Sequence, residues 1–297
     1  MIIVRLSGGM GNQMFQYALG RALALKYNVP LKLDIDMQMY LHEHGFNLKS
    51  LIFRPYSLDV FNISVQIANQ KEVPWYLRNY GAGKVRPIID GVRRRILHPS
   101  FGKRDQQYDP AILLKGPNTY LDGNWQTPKY FSDIKDVLQK DFTLKEPLSE
   151  KSQSLHNEIV SCNAVCVHIR RGDYVGNKVH DTAIGQTYYD KGISYISNHT
   201  TIEKIYVFSD DIEWCRANLT FAYPTIFVGN EYAGDRDCEH FALMSACKYF
   251  VIPNSTFSWW AAWLAANENK IVIAPKKWFA DDTIDTHDLI PEEWVRM

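Results

Sequence analysis

Ala164-Val165-Cys166-Val167-His168-Ile169-Arg170-Arg171-Gly172-Asp173-Tyr174 is the stretch from which the chain is best read. Its first four residues are apolar, small or β-branched and uninterrupted, the mark of a buried strand. Two arginines, a glycine and an aspartate at the end of such a strand put fixed positive charge on the carboxyl edge of a sheet. Ligands of open α/β sheets bind at that edge. Paired guanidiniums suit a diphosphate, because each is permanently charged and offers a planar fork of donors. The plainer alternative is a surface turn whose arginines pair with neighbouring carboxylates.

The same rhythm continues outward. Helices are expected over 149–160, 186–197, 211–219, 239–247 and 256–266. They alternate with strands at 164–169, 204–208, 225–228, 249–253 and 271–275. Apolar strands alternating with helices of about ten residues imply a parallel, doubly wound sheet. The start of the chain has the same grammar: strand 2–6, the turn Ser7-Gly8-Gly9-Met10-Gly11-Asn12-Gln13, a helix, and strand 31–34 make a βαβ opening. Glycines there let backbone N–H groups point at an anion or a sugar near a helix N-terminus. A tight turn that needs little side-chain bulk explains them equally well. The turn is neither a dinucleotide fingerprint nor a P-loop, which disfavours a Rossmann oxidoreductase. Domains are expected at 1–148 and 149–297, joined through 141–152.

Four strand ends of the second half carry polar groups suited to a nucleotide. Beyond His168, Arg170, Arg171 and Asp173 come Ser209-Asp210-Asp211, then Asn254-Ser255-Thr256-Phe257-Ser258 before the helix Trp259–Leu264, then Lys276-Lys277. Asp210 or Asp211 could accept from guanine or ribose, and either could equally be a helix N-cap. Ser255 and Thr256 at a helix start suit an anion or are simply a capping pair. Trp259 and Trp260 read as core. In the first half, the aromatic run 120–131 offers Asp122, Trp125 and Gln126 as a sugar-contacting surface, or as packing beneath a helix at 132–140.

Lys+Arg and Asp+Glu balance at 33 each, so no global field draws the chain to nucleic acid. The five cysteines form no metal-binding spacing and read as buried hydrophobes of a reducing compartment. The amino terminus runs straight into a strand, which suggests a cytoplasmic protein without signal or anchor. Seven basic residues (Lys84, Arg86, Arg93, Arg94, Arg95, Lys103, Arg104) punctuate 84–104. They read as a solvated face or as a peripheral contact with an anionic membrane.

His168–Tyr174, Phe208-Ser209-Asp210-Asp211, Leu243-Met244-Ser245-Ala246-Cys247-Lys248 and Asn254–Trp260 resemble the bacterial α-1,2-fucosyltransferases of glycosyltransferase family 11. So do Gly8–Ala18 and Pro291-Glu292-Glu293-Trp294, in the family's order along nearly the whole chain. The resemblance implies a GT-B-like fold of two Rossmann-type domains facing a central cleft, the first on the acceptor side and the second binding GDP-fucose. It implies GDP-β-L-fucose as donor, inversion to an α-1,2 linkage on a terminal galactose of an oligosaccharide or lipid-linked glycan, and no required metal or cofactor. Surface-polysaccharide (O-antigen) synthesis is the implied setting.

The β-phosphate role falls on Arg170 and Arg171, the guanine contact on Asp210 or Asp211, and the phosphate border on Ser255, Thr256 and Ser258. His168, Asn254, Phe257, Gly9, Gly11 and Asn12 complete the expected donor side; Gln13, Asp122, Trp125, Gln126 and Tyr174 form the expected acceptor side. Asp173 is the first candidate for a base, or a clamp on the arginines. Family members usually carry Asp where this chain has His240, so Asp237 or Glu239 is expected to supply the missing contact. Asp34-Ile35-Asp36 has the letters of a metal motif in an unpromising place. The rival readings are a non-catalytic nucleotide-sugar binder and a transferase of another GDP-sugar.

Overall fold

The computed structural model describes residues 1–35, 55–69, 71–73, 106–172, 174–177, 179, 182, 184–233 and 236–297. The basic segment 84–104, Asp36 and Asp173 lie outside these residues. Two compact units result, Met1–Thr143 with Ile284–Ile290 and Leu144–Thr283 with Pro291–Met297. The chain thus passes between units at 143/144 rather than at the expected 148/149, and a short late segment returns to the first unit. Carboxylates hold that segment: Asp288 accepts from the Tyr108 amide at 2.8 Å and Lys129 Nζ at 2.6 Å, and Asp285 accepts from Gln107 Nε2 at 2.9 Å.

In the first unit the strands are β1 (Ile2–Arg5), β2 (Leu31–Asp34), β3 (Gln66–Ile67) and β4 (Thr119–Leu121), all parallel, in the spatial order β3-β2-β1-β4. Helix α1 (Met10–Tyr27) buries Met14, Phe15, Tyr17, Leu19 and Leu23. Its end is set by Asn28, which adopts the left-handed conformation (φ 50°) and donates back to Leu25 O, with Pro30 soon after. Gly20 sits where a Cβ would collide with Val4, so the glycine is what lets α1 lie close on β1. Helix α2 (Lys135–Asp141) follows two short 3₁₀ turns.

Among the described residues the second unit holds six parallel strands: β5 (Ala164–Ile169), β6 (Lys204–Ser209), β7 (Thr225–Val228), β8 (Tyr249–Val251), β9 (Val272–Ala274) and β10 (Val295–Arg296). Their spatial order is β10-β9-β8-β5-β6-β7. Helices α3 (Glu150–Ser161), α4 (Gln186–His199), α5 (Ile212–Asn218), α6 (Asn230–Ala233), α7 (Asp237–Ser245) and α8 (Thr256–Leu264) alternate with the strands. Strand β5 is buried along its whole length, apolar but for His168 near its end. Its Val165, Val167 and Ile169 share a core with Tyr189, Ile193 and Ile196 of α4. Gly192 lets that helix approach β8, since a Cβ there would lie 2.8 Å from Val251 Cγ1.

The tryptophans of α8 belong to the core. Trp259 stacks on Trp263 at 5.9 Å between centroids and meets Trp260 at 5.2 Å and Trp294 at 5.5 Å. Glu239 of α7 is 1% exposed and accepts from the Ser149 amide at 2.8 Å, Ser149 Oγ at 3.0 Å and Ser152 Oγ at 2.7 Å. That carboxylate is committed to the start of α3. Among the described residues no helix is long and apolar enough to cross a membrane.

Candidate active site

Strand order creates the site. In the second unit the chain runs from β5 outward through β6 to β7, then returns to place β8 on the other side of β5. Neighbouring connections therefore leave β5 and β8 in opposite directions, and the carboxyl ends of these strands flank the crevice where such sheets take ligands. At the end of β5 stand Arg170 and Arg171; at the end of β8 stands Asn254-Ser255, leading into α8. Tyr174 Oη donates to Asn254 O at 3.2 Å, which ties one side of this crevice to the other.

The two arginines are held by the end of β6, which pairs with β5 in the register Ile169↔Ser209. Arg170 Nη1 lies 3.1 Å from Asp210 Oδ2, and Arg171 Nε donates to Asp211 Oδ2 at 3.1 Å. Asp210 also accepts from the Arg171 amide at 2.9 Å and from the Gly172 amide at 3.0 Å. The Asp211 carboxylate caps α5 by accepting from the Trp214 amide at 3.3 Å. Both aspartates expected to read a base thus have work within the protein. Arg171 is further restrained by Trp214, over whose ring its guanidinium carbon lies 3.5 Å from the centroid. Arg170 packs less closely over Tyr174, at 5.5 Å.

His168 is 5% exposed at the end of β5, its ring 6.1 Å from that of Phe257 in α8. Burial, reinforced by the positive charge of Arg170 and by His240, pushes its pKa down to about 3, so it is neutral near pH 7. Nδ1 of this buried ring has no protein partner. Around it, Phe257 packs on Phe241 at 5.5 Å, and His240 meets Phe208 edge-on at 6.2 Å. The Ser255 side chain makes no capping hydrogen bond at the start of α8, and the helix dipole makes that end attractive to negative charge. Ser258 Oγ turns inward to Ser255 O at 3.2 Å, and Asn254 Nδ2 to Trp278 O at 2.9 Å, so these two brace the turn. Lys277 pairs with Asp282 at 2.8 Å.

The first unit repeats the arrangement. Its chain runs β1, β2, β3 to one side and returns β4 to the other side of β1. The glycine turn 7–13 follows β1, and Asp122–Gln126 follow β4, so the expected residues of the first half gather at this crevice. Gly8 has φ +74°, which a side chain would strain, and Gly9 opens α1 with free space where a Cβ would point. Asn12 Oδ1 accepts from Gln126 Nε2 at 3.0 Å, and Asp122 is ion-paired with Arg5 at 3.1 Å. Gln13 is fully buried, with both N–H donors on Gly8 O and Pro55 O and its carbonyl accepting from Ser57 N. Its amide ties the turn to the segment after 54. Asp34 takes the hydroxyl of Tyr120, and Trp125 is nearly buried with φ +45°. No group of three or more His, Cys, Asp or Glu side chains fit to hold a metal occurs among the described residues.

Trp214 is the member of this constellation that residue chemistry did not single out. Its signal is only positional: it stands three residues after Asp211, one turn into a helix capped by that aspartate. Glu239, expected near the nucleotide, is spent on Ser149 and Ser152.

Residues 105–297 match the family model described as glycosyl transferase family 11. The chain is 34% identical to an alpha-1,2-colitosyltransferase of Escherichia coli, covering 100% of this chain and 98% of the relative. It is 30% identical to the O-antigen biosynthesis glycosyltransferase WbnK of the same organism, over 98% and 99% of the two chains. Among solved structures, the fucosyltransferase NodZ from Bradyrhizobium shares the fold, with a TM-score of 0.51 and 15% identity over 88% of this chain and 92% of that one. With a family model matched over 105–297 and a relative 34% identical over the whole chain, the chain belongs to glycosyltransferase family 11.

Proposed function

We propose that this glycosyltransferase moves L-fucose from GDP-β-L-fucose to O2 of a terminal β-galactoside, with inversion to an α-1,2 linkage. The observation that carries the reading is the placing of Arg170 and Arg171 at the end of β5 and of the start of α8 after the adjacent β8, at the crevice where the strand order reverses. Such a crevice suits a nucleoside diphosphate. As the bond between the sugar C1 and the phosphate oxygen breaks, its electron pair leaves with GDP and negative charge grows on the β-phosphate. Guanidiniums and helix amides already in place stabilise that charge, and each such donor is worth about 10²–10³ in rate. The acceptor O2 attacks C1 from the opposite face, and its proton passes to a carboxylate, for which Asp173 is the proposed base. In this reading the second unit carries most of the donor contacts, joined by Gly9, Gly11 and Asn12, and the first unit, through Asp122, Trp125 and Gln126, carries acceptor contacts.

A second donor deserves a direct trial, because 34% identity over the full chain links the protein to an alpha-1,2-colitosyltransferase. GDP-fucose, GDP-colitose and GDP-mannose, each offered with a panel of galactosides and followed by linkage analysis, decide between them. Fucose in α-1,2 linkage is the expected product. Exclusive use of GDP-colitose would replace the donor, and the absence of GDP release from any donor, with or without a galactoside, would favour a binding protein. Contact of 84–104 with anionic lipid belongs to the same proposal and is read by vesicle co-sedimentation.

A further inference from the structure

Two adjacent aspartates end β6, and their surroundings differ. Asp211 is 42% exposed in its side chain, and Asp210 only 24%. Asp210 spends both oxygens on one turn: Oδ1 on the Arg171 amide, and Oδ2 on the Gly172 amide and on Arg170 Nη1. The carboxylate sits close against the turn, since a Cβ on Gly172 would stand 2.6 Å from Asp210 Oδ2 and push it away. A carboxylate that accepts from two successive amides fixes the direction of the chain between them, and its charge fixes the guanidinium beside it. We infer that Asp210 is a positioning residue which locks the turn 170–172 and aims Arg170, while Asp211, the more exposed of the two, holds Arg171 Nε and caps α5.

This rests on the proposed use of a GDP-sugar, but the lock itself can be read without turnover. Asparagine at 210 would present N–H groups to at least one backbone N–H, so Asp210→Asn is isosteric and still breaks the lock. Gly172→Ala breaks it from the other side while keeping the charge.

The experiment measures three things in both variants and in the wild type: amide hydrogen exchange at Arg171 and Gly172, kcat with GDP-fucose and a galactoside, and the ratio of GDP to IDP affinity by calorimetry. IDP lacks the exocyclic amine that a base-reading carboxylate would hold. Exchange at the two amides should quicken at least about tenfold and kcat fall by about 10²-fold, with acceptor KM and the GDP/IDP ratio unchanged. Unchanged exchange, turnover within twofold of wild type, or loss of the GDP preference with kcat retained would each overturn the inference. Should Asp210→Asn not fold, Gly172→Ala decides: faster exchange with lower kcat supports the lock, and wild-type behaviour in both sinks it. If the wild type binds neither nucleotide, the donor assignment fails, while the exchange data still judge the lock.

Discussion

Arg171 lies over the indole of Trp214, 3.5 Å from guanidinium carbon to ring centroid, while its Nε holds Asp211. Stacking on one face and an ion pair at one edge leave the remaining N–H groups directed by the protein. A cation–π contact of this kind is worth about 0.5–2 kcal/mol. Trp214→Ala should therefore weaken donor affinity about three- to thirtyfold, and Trp214→Phe should recover part of it. Equal donor KM in wild type and the alanine variant would dismiss the stack as a packing accident.

Arg170 is the arginine beside the β5–β8 crevice, and Arg170→Lys keeps its charge while removing the fork that can hold Asp210 and a phosphate oxygen together. Turnover should fall by about 10²-fold or more, with a melting temperature close to that of the wild type. Calorimetric scans beside steady-state rates separate these effects. Wild-type turnover would refute the phosphate role.

His168 gives the fold a signature in pH. Its folded pKa of about 3, set by burial and then by Arg170 and His240, lies below the ordinary value of 6.5. Between these values the unfolded chain binds the proton and the folded chain does not. Stability is therefore lost as pH falls from 6.5 towards 3, by about 1.4 kcal/mol per unit from this group. His168→Gln should flatten the curve of melting temperature against pH in that window. Parallel curves for the two proteins between pH 6.5 and 5 would contradict the neutral, buried assignment.

Glu239 ties α7 to the first turn of α3 through Ser149 and Ser152. Glu239→Ala would strand buried donors and should cost about 2–4 kcal/mol of stability. GDP affinity of the folded fraction should stay as in the wild type. A tenfold loss of affinity without loss of stability would return this residue to the nucleotide.

If the guanidiniums carry the diphosphate charge, initial rates should survive EDTA. A complete loss restored by Mg²⁺ would show that a cation, and not Arg170 with Arg171, meets the leaving group.

Much of the second unit is legible in the residues because its central strands are buried on both faces. Strand β5 spans Ala164–Ile169 as its apolar run suggests, and β6 extends only to Ser209, one residue beyond the expected 204–208. Strands β3, β4 and β10 escape such reading. Each has two or three residues, and pairing with a distant neighbour, not composition, makes it a strand. The late return of Ile284–Ile290 to the first unit is invisible for the same reason, since it depends on Asp285 and Asp288 finding Gln107, Tyr108 and Lys129.

The site divides along a similar line. By itself the sequence determined which chemical groups end the strands, because a parallel sheet delivers them all to one edge. Tertiary structure alone decided that β8 returns beside β5, which brings the start of α8 to the arginines. It also decided that Asp210 is consumed by the turn it faces while Asp211 keeps more of its surface. Hydrogen-bond partners 39 residues apart are chosen by strand order and register, and neither is written in local composition.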